Sequence, residues 1–545
     1  MSILAAYARL KSRIPLRSAP PQSSLVCDPS RLQAWLAGLP LANRSFALMR
    51  MEEALRELNA AAILSQQRLA MLEMLEQVAA ALVDDGGNEV REFFPMSAER
   101  MDKVQHLAGI EYEFALAYAE IICDLCAPAG RIPLLRGGMA ARVLVRACQH
   151  QAAQLWQASR THSAPPAGAW QGMHDLFRYA AEAGYADREA VLAGGGRASP
   201  RSIYIQALLH AFAKPNQFTQ AQNRQLYSSL PVLASWCDVS PGHATAGTIA
   251  VHTGSDQSPP RGVNGDAGER WMLDIGALVA QFDAALARDE REIVMRARRG
   301  GEEAKLDGEI VAVLRRVWCE RTERGFPRNA DSAVLETEIG LSGLHYILSG
   351  NQDFEAVLPL TDASSTPTAS WAQRPPGLAT PRRARAEAVD RSRQGYRLHW
   401  AAGEDARVRV GELIALAPVA ARGKPEWSFG ALRWLRADAE AGIEAGIELL
   451  PTPPVAVAVY PFDAGGTPRA PVRGLLVEPD GVEASIFVPK PFARDAVALE
   501  VLRIDGGSSD AMTRPVRVAK FDLRDAGLYQ RIQLSGEALE RIAQA

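Results

Sequence analysis

No run of eighteen apolar residues occurs anywhere in this sequence of 545 residues, which excludes an ordinary membrane-spanning helix. An excess of one charge is missing too. Sixty Lys and Arg face sixty-three Asp and Glu, a formal net charge of −3. The chain as a whole therefore has no field that would draw it to nucleic acid, and any basic site must be local. Six cysteines are too few to staple a chain of this length, so a reducing, cytoplasmic setting is expected. The opening MSILAAYARLKSRIPLRSAPP scatters Arg9, Lys11, Arg13 and Arg17 among its apolar residues and has no separate apolar core, so it does not read as a secretory signal. Nine histidines show no HxxxH spacing, and no GxSxG occurs. Cys123 and Cys126 form a CxxC without a second ligand pair at zinc spacing, and they read as buried thiols in a helical run. Gly194, Gly195 and Gly196 lack the Lys-Ser or Lys-Thr of a phosphate loop and read as a helix terminator. These absences lead us to expect no enzyme, no catalytic residue, no metal site and no cofactor.

What is present is a chain of ordinary globular composition, 48% hydrophobic and 23% charged. Its length asks for two to four cores. Residues 1–245 read as helix. Leu48, Met51, Leu55 and Leu58, then Leu72, Leu75, Val78 and Leu82, recur at three- and four-residue spacing between Asn43 and Leu82. A helix after Ser97 and others over Gly138–Trp156, Trp170–Ala183, Ser202–Ala213 and Thr219–Ala234 complete an antiparallel array. Residues 246–320 form a mixed connecting region, with helices expected over Trp271–Arg288 and Asp307–Glu320. Beyond Ser332 the period drops to two. Strands are expected at Ala333–Thr337, Leu341–Leu348, Tyr396–Trp400, Arg407–Leu416 and Trp427–Leu435, and Ile443, Ala445, Ile447 and Leu449 alternate with polar or small residues. The expected fold is multidomain α + β: the helical array, an antiparallel β-barrel over 321–452 with an insertion at about 349–385, and a further β-rich segment over 453–545.

Two short motifs flank the Pro-, Ser- and Thr-rich part of that insertion. Arg324-Gly-Phe-Pro-Arg328 is an RxxxR, with Arg321 just before it. Asp390-Arg-Ser392-Arg393-Gln-Gly395 is a DxSxxG followed at once by a strand. Taken singly, the first reads as a solvated helix end and the second as a turn in which Asp and Ser bond the local backbone. Their order, ahead of a barrel, is what distinguishes them. The stretch Arg374–Arg397 carries seven arginines against one Glu and one Asp, a local positive field in a near-neutral chain.

In this region the sequence resembles the PilZ family of bacterial cyclic-di-GMP receptors, in which RxxxR precedes an antiparallel barrel and D/NxSxxG lies on an early strand. Val410-Gly411-Glu412-Leu413-Ile414, Trp427–Leu435 and the closing Gly442–Leu450 fit later strands of such a barrel. The resemblance implies a cytoplasmic signalling receptor for a bacterial second messenger. Cyclic-di-GMP would be bound by Arg324, Arg328, Asp390, Ser392 and Gly395, and the signal passed on by domain rearrangement to a protein partner. Arginine donates bidentately to phosphate or to guanine O6 and N7, and a carboxylate can accept from the guanine N–H edge. The sequence departs from the family in spacing, because sixty-one residues separate Arg328 from Asp390. Strands before the insertion account for this. Alternatively Arg382, Arg383 and Arg385, with Arg393 in the motif itself, supply the cations, although no strand is expected between them and Asp390. The other reading is a ligand-free PilZ-like adaptor acting through protein contacts in pilus or motility machinery.

Overall fold

The computed structural model describes residues 2–19, 24–25, 28–83, 93–243, 245, 247–256, 270–288, 290–319, 327–358, 383–419, 425–438, 440–477, 484–493, 495–504, 515–519, 521–526, 528–534 and 536–544. The chain divides into two units, Met1–Glu92 with Met96–Glu323, and Phe93–Pro95 with Arg324–Ala545.

The first unit is the helical array. Its helices are α1 (Ile3–Ser12), α2 (Pro29–Ala37), α3 (Arg44–Ala60), α4 (Ser65–Val83), α5 (Ala98–Leu125), α6 (Gly137–Arg160), α7 (Ala169–Glu182), α8 (Pro200–Phe212) and α9 (Gln220–Ala234). A small hairpin, β1 (Ala190–Val191) with β2 (Arg197–Ala198), precedes α8. The Asn43 side chain accepts from the Phe46 amide, and Thr219 and Gln222 close a reciprocal box at the start of α9, so both helices begin where an orphan amide finds an oxygen. The apolar stripes of α3, α4, α5 and α6 meet in one buried core that includes Leu48, Leu55, Leu72 and Phe114. Cys123 is buried there at the end of α5, and burial pushes its thiol up to about 12.

The rest of this unit departs from expectation. Trp271 is not helical. It lies in β5 (Arg270–Asp274), the centre of a three-stranded sheet with β3 (Asp238–Pro241) and β4 (Thr248–His252), and helix α10 covers only Gly276–Leu286. A hairpin of β6 (Glu292–Arg296) and β7 (Glu303–Asp307) precedes α11 (Gly308–Cys319). Only Ile293 and Met295 are buried on β6, too short an alternation to stand out in a sequence.

The second unit holds a closed six-stranded barrel. Its strands are β9 (Val334–Ile339), β10 (Ala384–Ser392), β11 (Gly395–Trp400), β12 (Leu413–Pro418), β13 (Ser428–Asp438) and β14 (Gly442–Leu449), and a two-residue strand β8 (Asn329–Ala330) adds to the end of β10. Every pairing is antiparallel. β9 bonds to β10 through Val334–Glu387 and Thr337–Ala384 and, on its other side, to β12. Closure comes from β10 with β11, β11 with β14, β14 with β13 and β13 with β12. Trp400 fills the interior, fully buried, and donates its indole N–H to Thr337 at 3.2 Å.

Leu341–Leu348 is a helix, α12, and not the expected strand. Leu341, Leu344, His345 and Leu348 recur at helical spacing, and Leu341 and Leu344 pack with Leu413, Phe429 and Leu475. The strand expected over Arg407–Leu416 is also shorter. Arg407 and Gly411 take positive φ, and the ladder begins only at Leu413. A short helix α13 (Phe354–Val357) follows α12, and beyond β14 the chain forms a seven-stranded sheet: β15 (Val455–Phe462), β16 (Val472–Val477), β17 (Ser485–Pro489), β18 (Ala498–Arg503), β19 (Val516–Val518), β20 (Phe521–Ala526) and β21 (Tyr529–Leu534). Helix α14 (Gly536–Gln544) ends the chain.

Candidate functional site

The DxSxxG motif forms a hairpin. Asp390, Arg391 and Ser392 end β10, Arg393 and Gln394 make a two-residue turn, and Gly395 opens β11, paired with Ser392. The Ser392 hydroxyl accepts from the Gln394 amide at 3.3 Å, the local bond that favours Ser beside a turn. Gly395 does not supply a positive φ. A Cβ there would collide with the Ile447 carbonyl of β14, so glycine is required for two strands to approach.

A register shift between Ala388 and Asp390 turns the Asp390 side chain outward, opposite Arg397 of β11. There it meets two guanidinium groups. Arg328 Nη1 lies 2.7 Å from Asp390 Oδ1, and Arg397 Nε lies 2.9 Å from Oδ2. Arg397 Nη1 also lies 3.1 Å from Glu444 of β14. Arg328 stands immediately before β8, which pairs with Asp390 and Arg391. The sixty-one residues between the two motifs are thus bridged by one ion pair. Beside them, Gly446 pairs with Arg397 on one side and Trp434 on the other, and a Cβ at Gly446 would run into the indole ring. The half-buried Trp434 therefore lies across the strand next to Arg397.

Of the residues singled out in the sequence, Arg328, Asp390, Ser392 and Gly395 come together on one outer face of the barrel. Arg321, Arg324 and Arg382 lie outside the described residues, as does the Pro- and Ser-rich linker. Arg393 is exposed in the hairpin turn. Arg383 and Arg385 are placed differently from expectation, because a strand does run from them to Asp390. Arg385 is on β10 itself, five residues from Asp390, or about 16 Å at strand rise. Arg383 binds Glu336 at 3.2 Å and lies 5.3 Å from the Trp427 ring. Arg385, five residues from Asp390 in the sequence, is thus farther from it in space than Arg328, sixty-two positions away. Arg397, Glu444 and Trp434 were not singled out. Their only sequence signal is position on alternating strands, and the register that aligns them is non-local.

Chemically, this face offers two guanidinium forks for phosphate or for a purine edge, a carboxylate for N–H donors, and an aromatic ring. Asp390 is 17% exposed on its side chain, and both of its oxygens already serve arginines. An anion arriving here would compete with Asp390 for Arg328.

Comparison with known proteins gives concordant matches. A family model described as the N-terminal domain of the cyclic-di-GMP receptor FimW matches residues 30–244. A second, described as the middle PilZ domain of the same receptor, matches residues 250–382 and 372–454. The chain is similar to the cyclic-di-GMP receptor FimW of Pseudomonas aeruginosa, 26% identical over 502 residues that cover 81% of this chain and 80% of that protein.

Proposed function

Because the chain belongs to the PilZ-domain family of bacterial cyclic-di-GMP receptors, in a long form with an N-terminal helical region, we propose that it is a cytoplasmic cyclic-di-GMP receptor. The dinucleotide binds on the outer barrel face formed by Arg328, Asp390, Ser392 and Arg397. The observation that carries this reading is the Arg328–Asp390 ion pair, which joins the two motifs across the insertion. Phosphate takes Arg328 and Arg397 by charge-assisted hydrogen bonds, and the Asp390 carboxylate, freed from Arg328, accepts from the guanine N1–H and amino edge. Trp434 offers a stacking surface for a base. Arg324 directly follows Glu323, where the chain passes for the last time from the first unit to the second, and Arg328 lies four positions further on. Capture of this segment by the ligand changes the link between the units, and a protein partner reads that change.

Calorimetric titration tests the reading. Cyclic-di-GMP should bind at micromolar affinity or tighter, and Arg328→Ala or Arg324→Ala should weaken it at least about tenfold, since one charge-assisted hydrogen bond is worth roughly 1.5–3 kcal/mol. Raised salt should weaken binding as well. Undetectable binding to pure, folded protein would replace the receptor with a ligand-free adaptor acting through protein contacts.

A further inference from the structure

None of the residues of the Arg328–Asp390 face lines the cleft that opens in the second unit beside the first turn of α12. This cleft has a volume of about 550 Å³, a size that suits a small organic molecule. Three arginines line it, and each already has an acid. Arg407 Nε is 3.1 Å from Asp405, Arg409 Nη2 is 2.7 Å from Glu412, and Arg473 Nη2 is 3.5 Å from Glu355. Arg409 and Arg473 also lie over the rings of Phe93 and Phe354. The acids are in surplus. Among the described residues, neither Glu338 nor Asp353 makes an ion pair, although both line the cleft.

Glu338 is the unusual member. It is 4% exposed, and its Oε2 has no hydrogen-bond partner among the described residues. A buried carboxyl left without a partner works against folding and asks for another explanation. The neighbouring chain is shaped around it, since any side chain at Gly343, in the first turn of α12, would collide with this carboxyl group.

We propose that the cleft is a second ligand site, for a small organic cation whose planar amidinium or guanidinium head pairs with Glu338 and whose body lies against Tyr346 and Phe354. A carboxylate and a planar fork match bidentately, and aromatic faces favour a cation beside them. The groups facing Glu338 leave it free to answer such a ligand. Burial pushes its carboxyl up to about 7, partly offset by the Arg383 charge. His345 of α12 is driven down to about 4 by burial and stays uncharged. Glu412 is held by Arg409 and by the Tyr529 hydroxyl. A cation that needs the ionised carboxylate therefore expels a proton on binding near neutral pH.

Calorimetry on the full-length protein tests this, with benzamidine and agmatine as probes and neutral benzamide as the control. Saturable binding of the cations should be about tenfold tighter near pH 8 than near pH 6, with proton release visible as a dependence on buffer ionisation enthalpy. Benzamide should not bind. Glu338→Gln should weaken the cations at least about tenfold without lowering the melting temperature. The proposal is overturned if neither cation saturates at about 10 mM, a Kd limit of about 3 kcal/mol of binding free energy. It is equally overturned if benzamide binds as well as benzamidine, if Glu338→Gln leaves binding unchanged, or if wild-type binding releases no proton near neutral pH. The proton measurement needs no variant.

Discussion

At Asp390 one carboxylate holds Arg328 and Arg397 together, two cations that would otherwise repel across the barrel face. Removing it should have two consequences of opposite sense. Asp390→Ala frees Arg328 for phosphate but takes away the acceptor for guanine N–H groups. Binding of cyclic-di-GMP should fall at least about tenfold, the worth of a charge-assisted bond, and a titration in which affinity instead rises would mean that Asp390 only restrains Arg328. Gly395 acts by geometry alone. Gly395→Ala drives a methyl into the Ile447 carbonyl, and backbone cannot yield as a side-chain tip does. The unfolding free energy from urea titration should fall by about 1–3 kcal/mol. Of these residues, Asp390, Ser392 and Gly395 were legible because they form one local motif. Arg397 and Trp434 were not, because nothing near them in the sequence states which strand lies alongside.

Among the elements, β9 decides whether the barrel closes. It bonds to β10 on one side and to β12 on the other, although a long insertion separates it from both. A fragment beginning at residue 382 lacks β9, leaves two raw edges and should aggregate, as light scattering would show. Deleting residues 363–380 from the full chain should leave cyclic-di-GMP affinity within about twofold, since Arg328, Asp390 and Arg397 all lie outside that stretch. A large loss in that deletion, together with loss in Arg382→Ala/Arg383→Ala, would move the clamp to the later arginines. The α12 helix shows where reading fails. Leu341–Leu348 is a short apolar run, equally consistent with a buried strand, and its type was decided by packing against Leu413, Phe429 and Leu475.

Over the whole molecule, each unit carries its own stability. In the first, His150 lies between Glu76 and Glu111, 2.8 and 2.7 Å away. Burial opposes its charge, but the two carboxylates outweigh burial and push the imidazole up to about 9. Its ordinary value is about 6.5, so the folded state holds the proton more tightly than the unfolded chain does. The stabilisation is complete below about pH 6.5 and fades as pH rises through about 9. Calorimetric melting of the full chain should show one transition that falls over this range, and His150→Gln should flatten that pH dependence. The Pro-, Ser- and Thr-rich composition of residues 363–381 leads to a further expectation. Limited proteolysis should cut there first, with β9 still bonded to β10 and holding the two pieces together.

By itself the sequence determined the α-then-β order, because hydrophobic period is a local property: 3.6 for the helices before residue 246, two for the strands after residue 381. It also determined the hairpin motif and, through the order of two motifs, the family to which the chain belongs. Tertiary structure alone decided which cation meets Asp390. Arg383 is seven residues away along the chain but bound to Glu336, whereas Arg328 is sixty-two positions away and 2.7 Å distant. The physical reason is that strand pairing brings together residues with no sequence relation, and a closed barrel fixes its neighbours only when every strand is in place.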